Sequence, residues 1–379
     1  MKIGYDAKRA AQNRTGLGNY SRFVVRIMAE QMPDNDYRLY VPDERRAPYL
    51  CDIASVAALP VESPKGLWRR FSAAWRSWGM VADLRRDGIE LYHGLSNELP
   101  INIKSAGCRS VVTIHDLIFL RNPEYYAKAD RLIYNFKFRK ACQDADRIVA
   151  VSEFTKHDII HYYGIAPEKI DVVYQGCDRA FAPPISNDKL DEVRCKYNLP
   201  SVYVLYVGSI EERKNVGLLI EALKGEAEQG RPFHIVMVGK STAYCERQKS
   251  IVARLGLQPY CHFFHNIPYA DLPSIYRLAS AFVYPSRIEG FGIPMLEAIT
   301  SGVPAIGCTG SCLEEAGGQG SLYVAPDDAS ALGDAVARVL TDNNLRSYMV
   351  EKGREYALNF SDEKLIRDLM NVYQKAMQQ

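Results

Sequence analysis

Two glutamates, Glu289 and Glu297, flank the run Gly290-Phe291-Gly292-Ile293-Pro294-Met295-Leu296. The apolar segment Ala281–Tyr284 before them reads as a buried strand ended by Pro285. Pro294 suits the first position of a helix, where its missing N–H costs nothing. Glu289 therefore falls in a glycine-rich loop and Glu297 in the first turn of the next helix. The N–H groups of Phe291, Gly292 and Ile293 would point out of that helix start, which favours an anion and above all a phosphate. A carboxylate on each side of a phosphate cradle suits a sugar nucleotide, one to hold sugar hydroxyls and the other a ribose.

Arg213 and Lys214 form a second constellation. They follow Gly208 at the end of the strand Tyr203–Val207 and precede a helix opened by Asn215. Two cations there would neutralise the charge growing on a departing diphosphate without a metal. His115 closes the strand Ser110–Ile114. A neutral imidazole at a strand's carboxyl end could hold a hydroxyl or accept a proton near physiological pH. His93 stands at another strand end. Gly16-Leu17-Gly18 matches a dinucleotide fingerprint only in part, because Ser21 occupies the third glycine position. It reads as a mobile loop whose backbone approaches a diphosphate or an acceptor; the plain alternative is glycine before a helix. Asp144-Ala145-Asp146 mimics a metal-binding pair but sits between a helix and a strand, where Asp is a turn residue. No metal ligand and no cofactor are assigned.

The elements that must position these groups alternate in period. Candidate strands in the first half are Lys2–Asp6, Tyr37–Val41, Glu90–His93, Ser110–His115, Arg147–Val151 and Lys169–Tyr174. Amphipathic helices such as Tyr20–Gln31 and Tyr126–Cys142 lie between them. A second series follows: Tyr203–Val207, His234–Val238, His262–Phe264, Ala281–Tyr284, Pro304–Ile306 and Leu322–Val324. The alternation implies βαβ units and parallel sheets. Asp178 to Leu199, stiffened by Pro183-Pro184, breaks the rhythm and marks a linker. The tail from Ser361 is one more helix, capped by Ser361.

Composition excludes several classes. The chain has 379 residues, 47% hydrophobic and 24% charged, as in soluble two-domain proteins. A net charge of +2 speaks against a dedicated nucleic-acid binder. Residues 1–180 carry +5 and the remainder −3, so the first half favours an acidic acceptor or a membrane face. Nine cysteines without CxxC pairs, Cys308 and Cys312 being the nearest two, read as reduced thiols. No apolar leader or bilayer-length run is present, which leads to a cytoplasmic expectation. Lys65 to Asp87 holds all three tryptophans. On a helix, Trp68, Phe71, Trp75 and Trp78 fall within an arc of about 80°. Such a stripe either lies in a membrane interface or packs on its own domain.

The Glu-x7-Glu segment resembles the signature of retaining GT-B glycosyltransferases of family 4, which includes many bacterial mannosyltransferases. Gly16-Leu17-Gly18-Asn19-Tyr20, Thr113-Ile114-His115-Asp116-Leu117, Val149-Ala150-Val151-Ser152 and Tyr206 to Asn215 match that family in order. The resemblance implies an α/β fold of two doubly wound Rossmann-like domains facing across a cleft. Residues 1–180 would bind the acceptor and 181–360 the nucleotide sugar, with helix 361–379 packing back on the first domain. It implies transfer of a hexose, mannose from GDP-mannose, to a lipid-linked saccharide of O-antigen or another surface polysaccharide, peripheral to the inner membrane face. His115, Arg213, Lys214 and Glu289 would be catalytic. Gly16, Gly18, Gly208, Phe291, Gly292, Ile293 and Glu297 would join the cation pair in binding the donor. His265 to Tyr269 would border the base. The family leans to a one-face route with the donor phosphate as base. Many members carry Arg where this chain has Ser209; Arg213 is expected to supply that charge. Alternatives are a UDP-sugar donor, a GT-B nucleotide-sugar epimerase, a non-catalytic sugar-binding protein and a dinucleotide oxidoreductase.

Overall fold

The computed structural model describes residues 1–13, 15–51 and 59–379. The chain forms two compact units, Met1–Gly176 with Phe360–Gln379, and Cys177–Asn359. The boundary lies at 176/177 rather than 180/181. Asp178 to Leu199 is built into the second unit instead of forming a linker. Helix Asn187–Lys196 and Tyr197 fasten to Asp271 (Lys196 Nζ and Tyr197 Oη both at 2.7 Å), and Arg277 donates to the carbonyls of Ala182 and Pro183. Phe360 returns to the first unit, its ring against Tyr174.

The first unit holds a seven-stranded parallel sheet of order β3-β2-β1-β4-β5-β6-β7. The strands are β1 Lys2–Asp6, β2 Asp36–Tyr40, β3 Val61–Glu62, β4 Leu91–Gly94, β5 Arg109–Ile114, β6 Arg147–Ala150 and β7 Ile170–Val172. Alternate residues take opposite faces. Ile3, Tyr5, Leu39, Leu91, Val111 and Val149 meet helices Gly16–Gln31 and Asp362–Met377. Val112, Ile114, Ile148 and Ala150 meet Phe138, Ala141 and Cys142 of helix Lys128–Asp144. Both faces are covered, which is why these strands read as continuous apolar runs. Ser361 caps the last helix by accepting from Lys364 N.

The tryptophan-rich segment departs from the single amphipathic helix expected. A 3-10 turn, Gly66–Arg69, is followed by helical residues Ser72–Ala74, a π-turn Trp75–Gly79 and helix Met80–Arg86. The wider turn shifts the angular phase, so the stripe splits. Trp75 is buried and donates its Nε1–H to Asp83 at 2.7 Å, whereas Trp68, Phe71 and Trp78 face solvent. Gly79 permits this, since a Cβ there would lie 3.0 Å from the Trp68 ring.

The second unit holds a six-stranded parallel sheet of order β10-β9-β8-β11-β12-β13. Its strands are β8 Val204–Val207, β9 Ile235–Val238, β10 Cys261–Phe264, β11 Ala281–Tyr284, β12 Ala305–Cys308 and β13 Leu322–Val324. In each sheet the order reverses once, between β1 and β4 and between β8 and β11. Such reversals open the crevices where α/β sheets bind ligands.

Candidate active site

In the second unit the loops after β8 and β11 leave neighbouring strands at the reversal point. Gly208 exits β8 at φ +154, and a Cβ on Gly239 beside it would lie 1.8 Å from the Gly208 carbonyl oxygen. A 3-10 turn, Glu212–Lys214, ends at Asn215 (φ +57), a left-handed position that Asn tolerates. The Asn215 side chain donates to Pro326 O at 2.9 Å, and helix Val216–Glu228 begins there. The loop after β11 is stitched to that turn: Arg287 N donates to Arg213 O at 3.0 Å, and Arg213 Nη1 donates to Ile288 O at 2.7 Å. Glu289 is therefore carried between the two cations. Its Oε2 lies 3.0 Å from Arg213 Nη1 and its Oε1 2.5 Å from Lys214 Nζ. Ser286 Oγ donates to Oε1 at 2.6 Å, and Lys214 also donates to the Tyr284 hydroxyl.

Lys214 and Glu289 are buried. Burial pushes the Glu289 carboxyl up, but Arg213 and Lys214 together outweigh it and bring it down to about 2. Burial pulls Lys214 below its ordinary value, against the opposing pull of Glu289. Arg213 and Lys214 thus bring positive charge to Glu289, and the Glu211 carboxylate acts on Lys214 as well. The neighbouring helix, Ile293–Thr300, starts from Gly292 at φ +119, with Pro294 in its first turn. Its N-terminal dipole adds to the same sign. The Cys312 thiol lies 3.0 Å from Glu289 O and 2.9 Å from Phe291 O, so it tethers the loop that presents Phe291, Gly292 and Ile293.

Glu297 lies just beyond the first turn of that helix and accepts from the Tyr276 hydroxyl at 2.8 Å. Burial raises its carboxyl to about 7; the Tyr276 bond opposes this and Asp178 adds to it. Tyr276, Phe282 and Tyr284 form one aromatic row, with centroids 5.4 and 6.0 Å apart. The row connects the partner of Glu297 to the partner of Lys214. His265 donates Nδ1–H to Gly239 O at 2.6 Å.

In the first unit His115 directly follows β5. Its Nε2–H donates to Leu95 O at 2.9 Å, and its Nδ1 accepts from the Gln175 amide at 3.1 Å. Burial lowers the ring to about 4. Burial thus favours the neutral imidazole, and both ring nitrogens have partners within the unit. Gln175 was not visible from sequence because it lies 60 positions away. His93 is likewise neutral, lowered to about 3 by burial, and bridges Tyr373 Oη (2.7 Å) to Thr113 Oγ1 (2.8 Å). Thr113 meets the Tyr20 hydroxyl, and the Tyr20 ring stands edge-on to His115 at 4.7 Å. Gly16 and Gly18 do not form a loop; they open helix Gly16–Gln31. Gly18 is required because a Cβ would lie 1.8 Å from Asn13 O. Gly16 and His115 thus belong to one unit, and Arg213, Lys214, Glu289 and Glu297 to the other.

Asp144 pairs with Lys104 and Lys140, and Asp146 accepts from Ser110. Among the described residues no group of three or more His, Cys, Asp or Glu could hold a metal ion. None of the nine cysteines is in a disulfide. Among the described residues no helix is long and apolar enough to cross a membrane.

Two parallel doubly wound sheets, with cations and carboxylates at the strand ends of the second, define a GT-B glycosyltransferase. Residues 22–181 match the family Glycosyltransferase Family 4, and residues 191–356 match Glycosyl transferases group 1. The chain is 30% identical over 286 residues to the O-antigen chain mannosyltransferase B of Escherichia coli, covering 75% of this chain and 74% of that one. It is 29% identical to the serotype-specific mannosyltransferase WbdA of Escherichia coli over 67% of this chain, but spans only 32% of that protein's length. In fold it is similar to Anabaena Alr3699/HepE in complex with UDP-glucose, with TM-score 0.78, 16% identity and 99% of both chains covered. The chain belongs to glycosyltransferase family 4.

Proposed function

We propose that the chain transfers mannose from GDP-mannose, with retention at the anomeric carbon, to a lipid-linked saccharide in O-antigen or another surface polysaccharide. The observation that carries this reading is the Arg213–Glu289–Lys214 cluster, with Lys214 and Glu289 buried, beside the start of helix Ile293–Thr300. A nucleoside diphosphate is the leaving group such a cluster suits: its oxygens take over the cations, and the helix N–H groups add to the neutralisation. Glu289, released from the pair, holds sugar hydroxyls beside the reacting carbon. Glu297, neutral or ionised near pH 7, meets the ribose. His115, a neutral ring in the first unit, orders hydroxyl groups rather than moving a proton. The mannose assignment is supported by the O-antigen chain mannosyltransferase B likeness. A second reading, a UDP-sugar donor, is supported by the solved UDP-glucose complex of the structural neighbour.

The test is slow donor hydrolysis over a panel of GDP- and UDP-sugars with EDTA present, followed by transfer to lipid-linked saccharides and analysis of the anomeric configuration. Hydrolysis of GDP-mannose above the others is expected. Preference for a UDP-sugar would move the reading to the second donor. Activity only with added divalent metal would contradict the cationic leaving-group site, and equilibration of donor epimers without acceptor would point to an epimerase.

A further inference from the structure

We infer that His157 and His161 of helix Glu153–Tyr163 form a surface site for a divalent transition metal ion of the zinc, nickel or copper class. The inference stands on the first unit alone and does not rest on the transferase reading. The chain has seven histidines. Five have ring nitrogens engaged within the fold: His93 with Tyr373 and Thr113, His115 with Leu95 and Gln175, His234 with His262, and His265 with Gly239. The other two, His157 and His161, stand four residues apart on one helix. Both are exposed, and among the described residues neither has a hydrogen-bond partner. Their printed neighbours are rings: each other, and Tyr162 beside His161.

The helix fixes that spacing from its buried side. Ser152 caps its start by accepting from Thr155 N at 3.0 Å, and Gly164, at φ +63, ends it. Thr155, Asp158, Ile159 and Tyr163 are buried, and Asp158 accepts from Arg121 Nε at 3.2 Å. Four residues of helix span about 6 Å of rise and about 40° of turn. The two rings accordingly lie 6.2 Å apart between centroids and within 9° of parallel. Exposed side chains turn about χ1 and χ2 without meeting a core, so each ring is free to swing one nitrogen onto a shared ion. Two histidines one turn apart on a helix face is the spacing that helical zinc sites use.

Chemistry selects the ion. Imidazole nitrogen suits zinc, nickel and copper, whereas calcium and magnesium prefer oxygen. Two ligands on one rigid turn bind far more tightly than either alone, because the second is held at high effective concentration. Among the described residues no group of three or more His, Cys, Asp or Glu could hold a metal, so the chain supplies two ligands. Water, or a donor from another molecule, fills the remaining positions. Glu153 and Lys156 lie within four residues of His157 on the same helix, and Arg139 reaches Tyr162 O at 3.3 Å from helix Lys128–Asp144. Protons compete with the metal for the ring nitrogens.

The untagged full-length chain is stripped with EDTA, dialysed and titrated with zinc chloride by calorimetry at about pH 7.5 and about pH 5.5. Exposed Cys51 and Cys195 also attract zinc and are first blocked with iodoacetamide. One zinc per chain is expected, bound more weakly at the lower pH, with retention of the chain on nickel-chelate resin. His157→Ala and His161→Ala should each weaken zinc about a hundredfold and abolish retention. His234→Gln/His262→Gln, which removes the pair joined at 3.1 Å, should bind like the parent. Zinc should also slow hydrogen exchange in residues 153–163. Both alanine positions face solvent, so their thermal melting should stay within a few degrees of the parent. The inference is overturned if the parent takes up no zinc, if either alanine variant binds like the parent, if affinity is the same at both pH values, or if binding is lost only in His234→Gln/His262→Gln.

Discussion

At the carboxyl end of the second sheet the side chains carry charge: Arg213 and Lys214 each stand within hydrogen-bond reach of Glu289. At the carboxyl end of the first, His93 and His115 are held neutral, each with both ring nitrogens engaged. At the same sheet end Asp6, Arg76 and Glu98 are spent on one another, and Arg9 adds to the lowering of His115. Both ends are reversal points of parallel sheets, so topology alone does not set them apart. The difference fits a division of labour. A leaving diphosphate needs fixed cations, whereas hydroxyl groups are best read by neutral, oriented donors and acceptors.

The largest effects should come from the charged end. Lys214→Ala and Glu289→Ala should each cut turnover by about a hundredfold or more, the scale of one transition-state contact, in donor hydrolysis and in transfer alike. Glu289→Gln separates charge from shape. It leaves both cations without a counter-ion, so the KM for donor should fall while turnover still drops. A Lys214→Ala variant within a few-fold of the parent would remove the contrast between the two sheet ends.

Glu297 tests the same end by pH. Its folded value of about 7 lies above the ordinary 4.5. The stability its neutral form contributes is full below the unfolded value and is lost as pH rises through the folded one. Between about pH 5 and about pH 8 the loss should be about 2 kcal/mol. Denaturant unfolding across that window should therefore show a slope that Glu297→Gln flattens. An unchanged slope would place the ionisable group elsewhere.

The neutral end should respond more weakly and in a different measurement. Gln175→Glu sets a carboxylate opposite His115 Nδ1 and favours the imidazolium. The rate should then fall about tenfold as pH drops below about 7, where the parent profile is flat in this limb. Gln175→Ala should lower the rate without adding that limb. Identical profiles for Glu and parent would detach His115 from the reaction.

Much of this contrast was legible in the sequence. Parallel strands buried on both faces give unbroken apolar runs, so Lys2–Asp6 and Ala281–Tyr284 stood out at their true limits. β3, with only Val61 and Glu62, is too short to show a period. Arg213, Lys214 and Glu289 were visible because each sits just after a strand. Other contacts were not: Tyr276 reaches Glu297, Gln175 reaches His115 and Arg76 reaches Asp6 across 21, 60 and 70 positions, and no local pattern announces a contact that only the folded sheet creates. The tryptophan stripe misled because a 100° step assumes an unbroken α-helix, and a π-turn intervenes. Pro183-Pro184 suggested a free linker, yet their segment is packed because Arg277 supplies the donors its carbonyls need.

Cys312 offers the smallest and sharpest probe. Its thiol is fully buried, and burial pushes it well above its usual value, so it stays protonated. The single S–H is shared between two carbonyls, those of Glu289 and Phe291. It touches only the backbone of the loop proposed to bind the diphosphate, which would make it a positioning residue. Cys312→Ala removes about 1 kcal/mol of hydrogen bonding. That should appear as a rise of about fivefold in the KM for donor, with kcat within about twofold. Cys312→Ser keeps a donor in nearly the same place and should restore most of the affinity. If alanine instead lowered kcat with KM unchanged, the loop would be shaping the transition state rather than holding the ground-state diphosphate. The charged end would then owe its strength to backbone placement as much as to its cations.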